Sequence, residues 1–202
     1  FAPAMLASGV FAGVLTEDYA NSRQDADGKR FGDELDRIGW RGTEAPGDRR
    51  IHAMFELHIE QGPILEQEDL PVAVVDAITG IRHYSVKISG TQNHAGGFPM
   101  DIRRDPMAGF AEIASGVVNT AHRMGRPAVT TVGRAVVKPN FPAIIPASVE
   151  FSIDARHPNP EKRRELYAAH EGMMREVAAR RGLEIEWIVQ IDHEPAPSDP
   201  EI

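Results

Sequence analysis

From Tyr84 to Ile191 the apolar residues change period in a fixed order, and that order leaves few folds open. Tyr84, Val86 and Ile88 alternate with Ser85, Lys87 and Ser89, the period of a strand exposed on one face. Asp105-Pro106 then supplies an N-cap and a proline for the first helical position. Met107, Phe110, Ala111, Ala114, Val117, Val118 and Ala121 follow on one helical face. Val129 to Val137 reads as a strand, Lys138 to Pro142 as a turn-rich link, and Ser148 to Ala155 as a strand with Val149, Phe151 and Ile153 inward. Asn159-Pro160 repeats the cap and proline. Leu166, Ala169, Met173 and Val177 form the second helix's apolar face, and Gly182 is placed to cap its end. Leu183 to Ile191 is the last strand, with Leu183, Ile185, Trp187 and Val189 on one face.

The sequence β-α-β-β-α-β is the ferredoxin-like arrangement, with two helices on one face of a four-stranded antiparallel sheet. At about 110 residues it is long enough for its own core. Taking the first and third strands as parallel neighbours puts the loop after Ser89, with His94, at the same edge as Arg156, and position 143 at the opposite end. The 13 residues from 143 to 156 span up to about 43 Å when extended, too far for one compact pocket to hold both ends of a single lid.

The first 77 residues are less self-sufficient. Met5, Leu6, Val10, Phe11 and Val14 can cover one helical face, residues 17–29 read as a polar loop, Phe31 to Ile38 as a short helix, and 40–50 as loop. In Phe55-Glu56-Leu57-His58-Ile59-Glu60-Gln61-Gly62-Pro63 the apolar residues alternate, so the stretch reads as a strand with His58 on its polar face. A short helix, Ile64 to Gln67, follows Pro63. Pro71 to Ala77 is apolar enough for a strand buried on both faces. A histidine at a strand end beside carboxylates suits a metal ligand. It equally suits a half-exposed strand histidine without function.

Composition narrows the function. A formal net charge of -8 argues against non-specific nucleic-acid binding. With no cysteine, any metal site must use His, Asp and Glu. No apolar run approaches the roughly 20 residues that span a bilayer. The chain starts at Phe1, and FAPAMLASGVFAGVL lacks the basic flank of a signal peptide. It reads as the interior of a larger protein.

FELHIEQGPILE, then ITGIRHYSVKISGTQNHAGGFPMDIRRDP, then PNFPAIIPASVEFSIDAR, together resemble the M20-type metallohydrolases. The branch most similar holds N-carbamoyl-L-amino acid hydrolase, allantoate amidohydrolase and β-ureidopropionase. The resemblance covers nearly the whole chain in order. It implies an α+β protein: a ferredoxin-like dimerisation (lid) domain over 78–193, preceded by part of an α/β metallohydrolase catalytic domain over 1–77, with 194–202 starting the return. It implies that His58 binds one of two divalent metal ions (zinc, or manganese or cobalt), that His94 is catalytic, and that Gln61, His94 and Arg156 bind substrate. The expected activity is hydrolysis of the C–N bond of N-carbamoyl amino acids or related ureido acids by metal-activated water. The expected partners are a small anionic ureido or amide substrate and a second copy of the chain, with no nucleic acid or membrane. A cytoplasmic location is expected. The family's other metal ligands, a His-x-Asp motif, a Glu pair and a late histidine, match no segment here, so the chain alone should be inactive.

Two departures bear on substrate. The family usually reads Asn-Val-Ile-Pro-Gly where this chain has Ala143-Ile144-Ile145-Pro146-Ala147. The family's Asn contacts substrate, and Ala143 has no hydrogen-bonding side chain, so that contact is lost unless Asn140 substitutes. Gly97 and Phe98 stand where two threonines are usual. A peptidase or acyl-amino acid hydrolase therefore stays open, as does a catalytically silent dimerisation module. Each site residue also has a plain reading: His94 as a solvated loop histidine, Gln61 as a polar strand end, and Arg156 as the partner of Asp154 in a surface ion pair worth about 0–1 kcal/mol.

Overall fold

The computed structural model describes residues 1–47 and 50–201. The loop expected over 40–50 includes Asp48 and Arg49, which lie outside the described residues. Contacts divide the chain into two compact units, Phe1–Gly62 and Pro63–Ile202.

The first unit carries three short helices: α1 (Leu6–Phe11), α2 (Glu17–Ser22) and α3 (Phe31–Arg37). The apolar helix expected in the first fifteen residues is only six residues long, and Gly13 just beyond it takes a φ of 73°. Helix α2 stands where a polar loop was expected. Thr16 caps it by accepting from the Tyr19 amide at 3.2 Å, and Glu17 and Asp18 sit in its first turn. Both features stabilise a helix N-terminus even without an apolar face.

The Phe55–Ile59 strand is not formed. Its alternation is real, but none of the described residues pairs with it, and Phe55, Leu57 and Ile59 are 80, 100 and 74 % exposed. A strand is held by its neighbour's N–H and C=O groups, so pattern alone does not make one.

In the second unit α4 (Ile64–Gln67) follows Gly62-Pro63 as expected. The buried strand expected over Pro71 to Ala77 reduces to β1 (Ala77–Ile78), and Val72, Val74 and Val75 are exposed. Next come β2 (Gly80–Ser89), β3 (Asn93–His94), α5 (Pro106–Met124), β4 (Val129–Thr131), β5 (Ala135–Lys138), β6 (Ile144–Ile145), β7 (Ser148–His157), α6 (Pro160–Arg181), β8 (Glu184–His193) and β9 (Ala196–Pro197). Strand β1 pairs with β9, so the segments leading into and out of the sheet run side by side. In the main sheet β7 lies between β2 and the broken strand β4/β5, and β8 borders β2 on the other side. The expected strand over 129–137 is interrupted between Thr131 and Ala135 by one extra residue relative to β7.

All these neighbours are antiparallel. That corrects the expected parallel pairing of the first and third strands. Helix α5 carries the chain back along the whole sheet, so β4 begins level with the start of β2, with β7 between them. The turn into β7 then reverses direction, and Gly80 to Ser89 runs against His157 to Ser148.

Both expected caps are present. Asp105 accepts from the Met107 and Ala108 amides, and Asn159 from those of Glu161 and Lys162. Gly182 ends α6 in the left-handed conformation at φ 63°. The core joins Tyr84, Val86 and Ile88 of β2 to Val149, Phe151 and Ile153 of β7, beneath Ile113 and Val117 of α5 and Met174 and Val177 of α6. The buried line of α5 is Gly109, Ile113, Val117 and Ala121, while Met107 and Ala111 of the expected face are exposed. On α6, Tyr167, His170 and Met174 are buried rather than Ala169 and Met173. Gly109 lets α5 settle closely on the sheet: a Cβ there would lie 2.5 Å from Leu183 and 2.9 Å from Ile88. Among the described residues no helix is long and apolar enough to cross a membrane.

Candidate active site

His58 lies on the extended, unpaired stretch of the first unit. Its Nδ1 is 2.6 Å from the carbonyl oxygen of Ile59. With Nδ1–H donating there, the Nε2 lone pair is available to a metal, the usual division of labour in metal-bound histidines. Three residues on, Gln61 takes a left-handed φ of 54°. A residue with a Cβ pays for that conformation, and such positions cluster at functional sites.

One histidine does not make a metal centre. Among the described residues no three His, Asp or Glu side chains gather to hold an ion, whereas zinc takes about four donors. The donor set of the described residues does not fit the expected dinuclear centre.

In the second unit, Ser89 ends β2 and the chain turns at Gly90, whose amide donates to the Ala147 carbonyl. A Cβ there would lie 2.1 Å from the Arg104 carbonyl oxygen, so only glycine fits. The loop then forms β3, which pairs with β6 by setting Asn93 against Ile145 and His94 against Ile144. The Ala95 amide donates to the Ala143 carbonyl at 2.9 Å. His94 and position 143 are therefore neighbours. The Nδ1 of His94 accepts from the amides of Gly96 and Gly97, each at 3.1 Å. Arg103 spans the loop, donating from Nε to the Phe98 carbonyl at 3.0 Å and from Nη2 to that of Ala95 at 2.6 Å. Asn140, at φ 60°, lines a cavity of about 380 Å³ with Ala95, Arg103, Phe141 and Ile144.

Arg156 sits at the other end of the sheet. It pairs with Ile81, at the start of β2, whereas Ser148 pairs with Ser89 at its end. Arg156 lies eight positions beyond Ser148 on β7, about 27 Å along the strand. The expectation that His94 and Arg156 share an edge, with position 143 opposite, is thus reversed: His94 joins 143, and Arg156 stands apart. The antiparallel course of β7 is the cause.

Arg156 holds Asp154 by its Nε and Nη2, at 2.9 and 2.7 Å. His83 of β2 approaches the same carboxylate, with Nε2 at 3.0 Å. Burial pushes the Asp154 carboxyl up. The hydrogen bonds and charge of Arg156, with His83 beside it, outweigh that and hold it below its ordinary value. Sequence reasoning identified the Asp154 pair but missed His83 and Arg103. His83 is revealed only by strand register, and Arg103 only by the fold of its loop.

No family model matches the chain. Its sequence is 42 % identical to an N-carbamoyl-L-amino-acid amidohydrolase of Rhizobium meliloti, covering 100 % of this chain and 49 % of that protein. It is 36 % identical to the allantoate amidohydrolase of Escherichia coli, covering 94 % of this chain and 47 % of that protein. The structure matches an amidase of the hydantoinase/carbamoylase family from Burkholderia multivorans with a TM-score of 0.90 and 43 % identity, over 99 % of this chain and 49 % of that one. The chain thus spans about half the length of the relatives it matches. Like them in both sequence and fold, it belongs to the hydantoinase/carbamoylase family of amidohydrolases.

Proposed function

We propose that this chain is the lid, and part of the catalytic domain, of an enzyme that hydrolyses the C–N bond of N-carbamoyl amino acids or related ureido acids. The observation that carries the reading is the likeness to N-carbamoyl-L-amino-acid and allantoate amidohydrolases along essentially the whole chain. In this reading residues 1–77 belong to the catalytic domain and 78–193 to the lid, joined through the β1–β9 ribbon. Residues 194–202 begin the return to the catalytic domain.

His58 is one ligand of a divalent-metal centre, two ions in the family pattern, whose other ligands lie outside this chain. The exposed apolar side chains of 55–59 and 72–75 are then the faces that the rest of the catalytic domain covers. Their exposure is costly at about 25 cal/mol per Å² of apolar surface.

Arg156 binds the substrate's carboxylate. Asp154 occupies its Nε/Nη2 edge, which fixes the plane of the guanidinium and leaves the Nη1/Nη2 edge for a second, bidentate carboxylate. His94 donates to the carbonyl oxygen on which negative charge develops, and one such donor is worth about 3–4 kcal/mol. Gln61 hydrogen-bonds the ureido or amide group.

His94 and Arg156 lie about 27 Å apart along the sheet, so one pocket does not receive both from one lid. We propose a homodimer in which each lid serves two sites, one with each end. The test of the function is hydrolysis by the complete enzyme. N-carbamoyl amino acids or allantoate should turn over, and His94→Asn should cut kcat about 100-fold or more. Turnover of dipeptides alone would favour the peptidase reading, which Ala143 keeps in play. No turnover of any of them would favour a silent dimerisation module.

A further inference from the structure

The His94 loop contains more order than its exposure suggests. Two backbone N–H groups, from Gly96 and Gly97, point at the same ring nitrogen. A ring nitrogen accepts a hydrogen bond only when it carries no proton. A neutral imidazole has a single N–H, so with Nδ1 accepting, the proton is on Nε2. Among the described residues nothing in the structure bonds Nε2, and the residue is exposed. The ring therefore faces outward with a donor, not with a base.

The amides do not aim themselves. Residues 95–98 must curl back over the ring, which brings the carbonyls of Ala95 and Phe98 round to one side. The guanidinium of Arg103 holds both of these carbonyls. Its planar fork meets two acceptors at once, which a lysine ammonium does less well. On the far side, pairing of His94 with Ile144 and the bond from Ala95 to Ala143 complete the frame.

We infer that Arg103 is a positioning residue: by closing the 95–98 turn it sets the Gly96 and Gly97 amides on Nδ1, and so fixes His94 as a neutral Nε2–H donor. The identity of the group that receives this hydrogen bond, a substrate carbonyl oxygen, rests on the function proposed above. The tautomer does not. A preorganised neutral donor polarises a carbonyl without having to reorient during the reaction, and it cannot act as a general base through Nε2.

The test is the tautomer itself, read by ¹⁵N NMR of the imidazole nitrogens in the labelled chain well above the midpoint of the ring's own titration. The chain has 8 histidines, so His94→Asn assigns the signal. The wild type should show the proton on Nε2. Gly97→Ala should show the same, because it keeps the amide and its Cβ would meet only Nδ1, at an ordinary 3.7 Å. Arg103→Ala should raise the Nδ1–H form several-fold, with Arg103→Lys in between. Gly97→Pro deletes one amide donor and should also raise it, which keeps the inference testable if Arg103→Ala does not fold. A wild-type ring protonated on Nδ1 would overturn the inference. So would a tautomer unchanged in a folded Arg103→Ala or, if that variant does not fold, in Gly97→Pro. Either result would leave the amidohydrolase reading standing, whereas full activity of a His94→Asn enzyme would remove that reading's use of His94 without touching the tautomer.

Discussion

Arg156 grips Asp154 two residues before it, with Nε and Nη2 at 2.9 and 2.7 Å from the two carboxylate oxygens. Residues two apart on a strand share a face, so the pair lies along β7 with the guanidinium plane fixed. An ion pair this exposed adds little to stability, about 0–1 kcal/mol. On the function proposed above, its value is orientation. In the complete enzyme Arg156→Lys should raise KM about tenfold or more, because an ammonium cannot bind Asp154 and a substrate carboxylate in one plane. Asp154→Asn should raise KM by a smaller factor with kcat nearly unchanged, the pattern of lost ground-state binding. Steady-state kinetics on a carbamoyl amino acid check both, and an unchanged KM in Arg156→Lys would count against the clamp.

His170 is fully buried in α6. Its Nε2 donates to the Val117 carbonyl at 3.2 Å, and its Nδ1 has no hydrogen-bond partner among the described residues. Burial pulls its pKa down from 6.5 to about 4, against a smaller opposing effect of that bond. Between these values the unfolded chain binds a proton that the folded chain refuses. Stability is therefore complete above pH 6.5 and falls as the pH drops toward about 4, by about 3 kcal/mol from this group. Urea unfolding across that range should show the slope in the wild type and a flatter one in His170→Leu. Equal slopes would show that the ring is not the cause.

Gly90 tests the loop that carries His94. Adding a Cβ forces it against the Arg104 backbone, so Gly90→Ala should destabilise the second unit by about 1–3 kcal/mol or more. Thermal unfolding checks this. A midpoint equal to wild type would mean that the turn relaxes freely and does not set the loop.

Metal content tests the reading of His58. The isolated chain, purified and dialysed, should retain no stoichiometric zinc or manganese, since among the described residues no three His, Asp or Glu side chains gather to hold an ion. One equivalent bound per chain would show a ligand set within these residues that the structure does not bring together.

Much of the second unit was legible in the sequence because its signals are local. Asp105-Pro106 and Asn159-Pro160 cap their helices as read, and Val149, Phe151 and Ile153 are buried as their alternation requires. Direction was not local. Whether β2 and β7 run parallel depends on how far α5 returns the chain, and misreading it placed His94 beside Arg156 rather than beside position 143. The strand patterns of Phe55–Ile59 and Pro71–Ala77 failed for another reason: their periodicity is genuine, but strands are completed by neighbours, and the described residues supply almost none. Of the site, His58, Gln61, His94 and Arg156 were named through resemblance. Arg103 and His83 carry no pattern, because each acts across a loop or a strand pair that exists only once folded.

The most direct test of the account is complementation between two crippled forms of the complete enzyme. His94→Asn and Arg156→Ala should each be nearly inactive. If each site takes His94 from one lid and Arg156 from the other, mixing the two variants under subunit exchange makes heterodimers with one intact site and one doubly damaged site. With half of the dimers mixed, activity should recover to about a quarter of wild type. No recovery despite proven exchange would mean that both residues act within one subunit's site, and would contradict a lid whose two ends serve two different pockets.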